Sequence, residues 1–153
     1  MPVHTSAGTT IGIVAGAPAT YDVAGYTALI FVNIGEITNA GEFGRVYQLI
    51  THNPLATRGT QKYKGSFNEG AMNLNLALSS DDAGQVLAKT ALDSDEDYSF
   101  KVSMPGGDDY YFRAKVMSFP IGINDVNSLT TATIQLEITT SAAGVGIVED
   151  LAP

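Results

Sequence analysis

SSDDAGQVLAKTALDSDEDYSFKVSMPGGDDYYFRAKVMSF, residues Ser79 to Phe119, decides the fold because it joins one helix to one hairpin. Ser79 and Asp82 have the spacing of a capping box, in which the hydroxyl accepts from the N3 amide and the acid turns back to the cap amide. A helix is predicted to start there. Ala83, Val86, Leu87, Thr90 and Ala91 recur at three-and-four spacing and give a mostly apolar stripe. With Gly84 inside it, so short a helix is marginal in water and has to be held by packing. The sheet that holds it follows at once. Tyr98, Phe100, Val102 and Met104 alternate with Ser99, Lys101 and Ser103, Pro105 to Asp109 is turn chemistry, and Phe112, Ala114 and Val116 alternate with Arg113, Lys115 and Met117. The pair reads as a β-hairpin whose polar faces carry Lys101, Arg113 and Lys115. That basic stripe is either a solvated face, the commoner outcome, or a seat for a neighbour's carboxylates.

The rest of the chain extends the same sheet. Thr9 to Val14 is β-branched and reads as a first strand. Tyr21 to Gly25 reads as loop, Tyr26 to Val32 as an apolar strand, and Ile34 to Thr38 as a short one split off at Gly35. Val46, Tyr47, Leu49 and Ile50 indicate a fully buried or bulged strand within Glu42 to His52. Met72 to Leu78 alternates cleanly, as does Ala132 to Thr139. The expected fold is mainly β, a sandwich or small barrel with one flanking α-helix. At 153 residues the chain is expected to form a single domain, 1–153, with a flexible N-terminal arm to about residue 8 and an unanchored C-terminal arm from Ser141 to Pro153.

Asn53 to Gly70, NPLATRGTQKYKGSFNEG, has no period and is rich in Gly and polar residues, so a long loop is expected. It carries Arg58, Lys62, Tyr63, Lys64 and Phe67. A mobile solvated loop and a docking arm fit these residues about equally, since aromatics and Arg are the types that carry interface energy.

Composition excludes several classes. Without cysteine there is no disulfide, thiolate metal site or cysteine nucleophile. Sixteen acids against eight bases, a formal charge of −8, argue against a surface that grips nucleic acid. The longest apolar run falls far short of a bilayer span, and MPVHTSAG lacks the basic and apolar regions of a signal peptide, so a soluble protein is expected. His4 and His52 are the only neutral-pH bases, and neither sits near a nucleophile motif. Asp93, Asp95, Glu96 and Asp97 have the look of a calcium run but lack the loop glycine and terminal glutamate of an EF-hand, and read as a solvated turn. Neither enzyme chemistry nor a metal or cofactor is expected. Long alternating strands with open edges invite pairing with another chain.

The order of these parts resembles the major tail tube proteins of long-tailed bacteriophages. The resemblance is carried by DDAGQVL, the acidic turn, YSFKVSMPGGDDYYFRAKVMSF and TATIQLEIT, with SAGTTIGI and IGEITNAGEFG matching the N-terminal pattern, and it spans Ser6 to Thr140. It implies a tail-tube β-sandwich with a flanking helix, related to the tubes of contractile tails and secretion machines. Such subunits form hexameric rings that stack into a virion tail tube, made in the host bacterial cytoplasm, through which DNA is delivered without specific binding. Its other implied partners are tape-measure, tail-terminator and tail-tip proteins, with no membrane insertion by this chain. On this resemblance the 53–70 segment is the ring-stacking loop, and Asp93, Asp95, Glu96 and Asp97 become available as an acidic contact between subunits. Six copies at −8 would give about −48 per ring, and like-charged walls keep DNA from adhering. The alternative is a β-barrel ligand- or carbohydrate-binding module of adhesin type, which needs an aromatic-lined pocket, with Tyr110, Tyr111 and Phe112 as the candidates.

Overall fold

The structure, a computed structural model, describes residues 3–153, so the first two residues of the expected N-terminal arm lie outside it. Eleven strands and two helices follow in chain order: β1 Thr10–Val14, α1 Val23–Thr27, β2 Val32–Asn33, β3 Ile37–Asn39, β4 Val46–His52, β5 Gln61–Asn68, β6 Ala71–Ala77, α2 Ala83–Leu92, β7 Tyr98–Ser103, β8 Asp109–Ser118, β9 Ile121–Gly122, β10 Thr131–Thr139 and β11 Val148–Asp150. Nine strands form one curled half-barrel sheet with the order β2-β1-β7-β8-β10-β6-β3, while β11 pairs with β8 and β9 with β10. Every pairing is antiparallel. The fold is mainly β with α2 on one flank, as the sequence predicts.

The β7–β8 hairpin is central, with Phe100 opposite Phe112 in register and their rings stacked at 5.6 Å. Its inner residues join Ile11, Ile13, Met72, Leu74, Leu76, Ile134, Leu136 and Ile138 in one buried core. These are the residues the alternating pattern assigns to one face, because a period of two puts them all inside.

Helix α2 closes this core, but its cap and packed face differ from expectation. Asp82, not Ser79, is the N-cap and accepts from the Gln85 amide, and its second role is to accept from Gly35 N at 3.0 Å. Gln85 is buried. Its side chain accepts from Ser79 N and donates to the carbonyls of Gly35 and Ala77, so one amide stitches the helix to β6 and to the loop before β3. The inward face is Gly84, Gln85, Ala88 and Ala91, whereas Val86 is 49% exposed. Small residues face inward because the helix lies close to the backbone: a Cβ on Gly84 would stand 2.3 Å from the Asn33 carbonyl oxygen.

The segment expected to be loop and then apolar strand, Tyr21 to Val32, instead contains helix α1, capped by Asp22, whose carboxyl the Gly25 amide and Thr20 hydroxyl hold below the usual range. It lays Tyr26 on the outer face of the hairpin, stacked on Tyr111 at 5.3 Å, with Tyr21 and Phe31 around the pair. An aromatic run with one glycine, Gly25, served a second, smaller layer rather than a strand. The C-terminal segment is also anchored: β11 pairs with Asp109–Tyr111, and the Ala152 amide donates to Asp108 at 2.7 Å.

Candidate functional site

The segment expected as an irregular loop is in large part a strand. β5 pairs with β4 in a separate two-stranded ribbon, Val46 opposite Asn68 and His52 opposite Gln61, with an irregularity between Tyr47 and Leu49. The connection between His52 and Gln61, which holds Arg58, and the two residues Glu69 and Gly70 lack strand structure. The bulge expected in β4 is present, but the burial is not: every residue of β4 is exposed, Val46 by 66% and Leu49 by 65%. An isolated two-stranded ribbon is marginal in water, and here the pairing is reinforced across the strands. Tyr47 and Phe67 meet edge to face at 5.6 Å, the Lys64 ammonium stands 4.8 Å over the Tyr47 ring, and the Arg45 guanidinium lies 3.9 Å over Phe67. Alternation could not reveal β5, because alternation records burial on one face and this strand has no fully buried residue, only half-buried Gly65 and Phe67.

The ribbon is rooted by a group that the sequence does not single out. Glu69 is 2% exposed; its carboxylate accepts from Arg45 Nε at 2.5 Å and from the Ile147 amide at 2.8 Å. One buried acid therefore ties both strands of the arm to the C-terminal segment. The hydrogen bond that Arg45 donates to Glu69, with a smaller contribution from Tyr47, raises the guanidinium's pKa above its ordinary value. A glutamate two residues after an aromatic, with an arginine just before the partner strand, was the available signal.

Of the remaining residues singled out in the sequence, the acidic turn and the basic stripe meet within one chain. Lys115 pairs with Asp97, Arg113 donates to the Asp97 carbonyl at 2.6 Å and to the Gly16 carbonyl at 3.0 Å, and Lys101 stands 4.0 Å from Asp109. Both of these ion pairs are partly exposed and hold little energy. Asp93, Asp95 and Glu96 stay clear of them; Glu96 only donates its amide to Ser94 Oγ. Tyr111 and Phe112 are buried, and Phe43 packs edge-on against Tyr110. A cavity of about 620 Å³ beside the arm root is lined by Phe43 and Tyr110 with Arg45, Glu69 and Glu149, and another of about 550 Å³ between the N-terminal segment, β1, β3 and β7 contains Phe43 as its one aromatic; Tyr111 and Phe112 line neither, so the three hairpin aromatics do not gather in one sugar-binding pocket. Among the described residues no group of three or more His, Asp or Glu is placed to hold a metal ion, and no helix is long and apolar enough to cross a membrane.

The half-barrel with its one packed helix and a projecting two-stranded arm defines the chain as a protein of tail-tube fold. Solved structures bear this out. The chain is similar to a component of the virion of a native gene transfer agent particle, with a TM-score of 0.69 at 10% identity over 97% of this chain and 100% of that one. It is similar to the SPP1 tail tube, with a TM-score of 0.65 at 13% identity over 94% of this chain and 77% of that one. A chain of the sheath/tube terminator of an extracellular contractile injection system gives 0.68 at 10% identity, over 99% and 98% of the two chains. No protein-family model and no curated protein matches this sequence.

Proposed function

We propose that this protein is a structural, non-enzymatic subunit that polymerises as stacked hexameric rings into a tail tube, the conduit for DNA in a phage-like particle. The observation that carries the reading is the β4–β5 arm. Val46, Leu49, Ile50, Leu55 and Tyr63 are all at least half exposed on a ribbon that stands clear of the body, and a monomer gains nothing from displaying them. Both outer edges of the ribbon are open to further pairing. Charge supports the same reading. Arg45 to Gly70 holds four bases, Arg45, Arg58, Lys62 and Lys64, and one acid, Glu69, leaving fifteen of the sixteen acids and four of the eight bases elsewhere. A basic, apolar arm on an acidic body suits association with further copies of itself. In this reading Arg58, Lys62, Tyr63, Lys64 and Phe67 form the stacking contact, and Asp93, Asp95 and Glu96 face a neighbouring subunit beside α2. The acidic body keeps passing DNA from adhering.

Negative-stain microscopy of the purified protein at high concentration should show rings or tubes of uniform width; monomers under all conditions would refute the proposal. Reversing Arg58, Lys62 and Lys64 to Glu should leave the circular dichroism unchanged and raise the concentration needed for polymerisation by about 100-fold or more, since like charges facing each other at an interface cost several kcal/mol. Unchanged polymerisation would remove the arm from the stacking contact.

A further inference from the structure

A second group of exposed apolar side chains lies at the other end of the sheet. The connection around β9 displays Ile121, Ile123, Val126 and Leu129, and Val126 is 98% exposed. Such a run on a short turn has no core to serve. Its backbone is nevertheless well fixed: Ile121 and Gly122 pair with Ala132 and Thr131, the Leu78 amide donates to Thr130, and Asp125 accepts from Asn127 N and Ser128 Oγ. The apolar groups are thus presented by an ordered turn.

The topology puts this turn and the arm at opposite ends of the same two strands. β6 begins beside the arm root, where the Ile138 amide donates to the Gly70 carbonyl, and ends beside the turn, where Ala77 faces Thr131. Six residue steps of β6 separate the two ends by roughly 20 Å. The turn end is acidic. Glu36, whose carbonyl accepts from Ala77 N, and Asp81, at the start of α2, are exposed there with Asp125. One base, Lys89, is near, and it lies over the Phe119 ring at 5.4 Å. The arm carries the opposite charge, with Arg58, Lys62 and Lys64 beside exposed Leu49, Ile50, Leu55 and Tyr63.

We infer that the Pro120–Thr130 turn is the seat for the β4–β5 arm of another copy of this chain, apolar tip against Ile123, Val126 and Leu129, and basic flank against Glu36, Asp81 and Asp125. Complementary patches at opposite ends form a head-to-tail contact, which propagates without closing on itself along the direction joining the ends. That is the geometry needed to add one layer of subunits on another. The inference rests on the tube reading and names the surface that receives the arm.

The absence of native cysteine makes the contact directly testable. The double variants Leu55→Cys/Val126→Cys and Leu55→Cys/Ile123→Cys change only exposed side chains, so folding is expected to survive, with circular dichroism as the check. Treated with a short bismaleimide under polymerising conditions, they should give ladders of dimer, trimer and longer species on denaturing gels, whereas Leu55→Cys alone should not go beyond dimer. Leu55→Cys/Val86→Cys probes the outer face of α2 as the competing seat. Tubes that form without a ladder from either turn pair, or that give one only with Val86→Cys, overturn the assignment while the tube reading stands. Protein that never forms rings or tubes overturns the tube reading, and this assignment with it. As a second measure, Ile123→Asp/Leu129→Asp should raise the concentration needed for polymerisation at least tenfold with the monomer fold intact, and no change would count against the turn.

Discussion

Glu69 is where a single substitution should separate the arm from the body. Its carboxylate is 1% exposed and holds two donors, Arg45 Nε and the Ile147 amide. Glu69→Ala leaves the Ile147 amide without an acceptor, which costs about 1–3 kcal/mol. The side chain of Arg45 is 39% exposed and keeps its stacking on Phe67, so it rehydrates, and its share of the pair is worth about 1 kcal/mol or less. The expected loss is therefore about 1–4 kcal/mol. Glu69→Gln keeps one acceptor oxygen for two donors and should lose about 1–2 kcal/mol. Urea unfolding of dilute monomer at neutral pH, followed by circular dichroism, should show the midpoint falling in the order wild type, Gln, Ala with an unchanged slope. Limited proteolysis should then cut first in the arm and in the segment after Ser141, because both lose the same anchor. Gly146→Ala should mimic the effect, since its Cβ would stand 2.4 Å from the Glu69 carboxyl carbon. A loss below about 0.5 kcal/mol in Glu69→Ala would show that the carboxylate does not hold the arm.

Three further outcomes follow from the packing. Gly84→Ala raises helix propensity by about 1 kcal/mol, yet its Cβ would stand 2.3 Å and 2.5 Å from the backbone of Asn33 and Ile34, so a net loss of about 1–3 kcal/mol is expected in the same urea assay; a gain would mean the helix sits farther from β2 than described. Tyr26 is fully buried and its hydroxyl is the one buried side-chain oxygen or nitrogen without a hydrogen-bond partner among the described residues, so Tyr26→Phe should be neutral or stabilising by about 1 kcal/mol, read as melting temperature. Burial pushes the Tyr26 phenol up to about 12 from 10.0, partly offset by the nearby Arg113 charge. The folded state therefore binds the phenol proton more tightly than the unfolded chain, and this stability is complete below pH 10 and lost as pH rises towards 12. The alkaline decline should be shallower in Tyr26→Phe, and an identical decline would assign it to other groups.

The resemblance to tail tube proteins and the alternating strands gave the right fold from sequence, for a physical reason. β6, β7, β8 and β10 each bury one face against a shared core, so every second residue had to be apolar, and the pattern can be read without the partner strands in view. The helix was legible as an element but its face was not. Val86 is more apolar than the residues that face inward, yet the close approach to Asn33 and Ile34 selects Gly84, Ala88 and Ala91, with Leu87 half-buried at the edge of the core, and size rather than hydrophobicity decided the rotation. The basic residues of the hairpin were legible as a stripe; that Asp97 would answer Lys115 from one turn away depends on where the end of α2 delivers the chain.

The sequence by itself determined the core, the β7–β8 hairpin and the absence of thiol chemistry, because these depend on local periodicity and residue type. Only the tertiary structure decided the rest. It turned an apparent loop into one strand of a projecting arm, anchored the C-terminal segment on Glu69 and Asp108, and set an apolar turn at the opposite end of β6 from that arm. Each of these joins residues far apart in the chain, and two of them concern surfaces that a single subunit leaves exposed. Periodicity registers burial within one chain, so a strand with no fully buried residue leaves little trace in it.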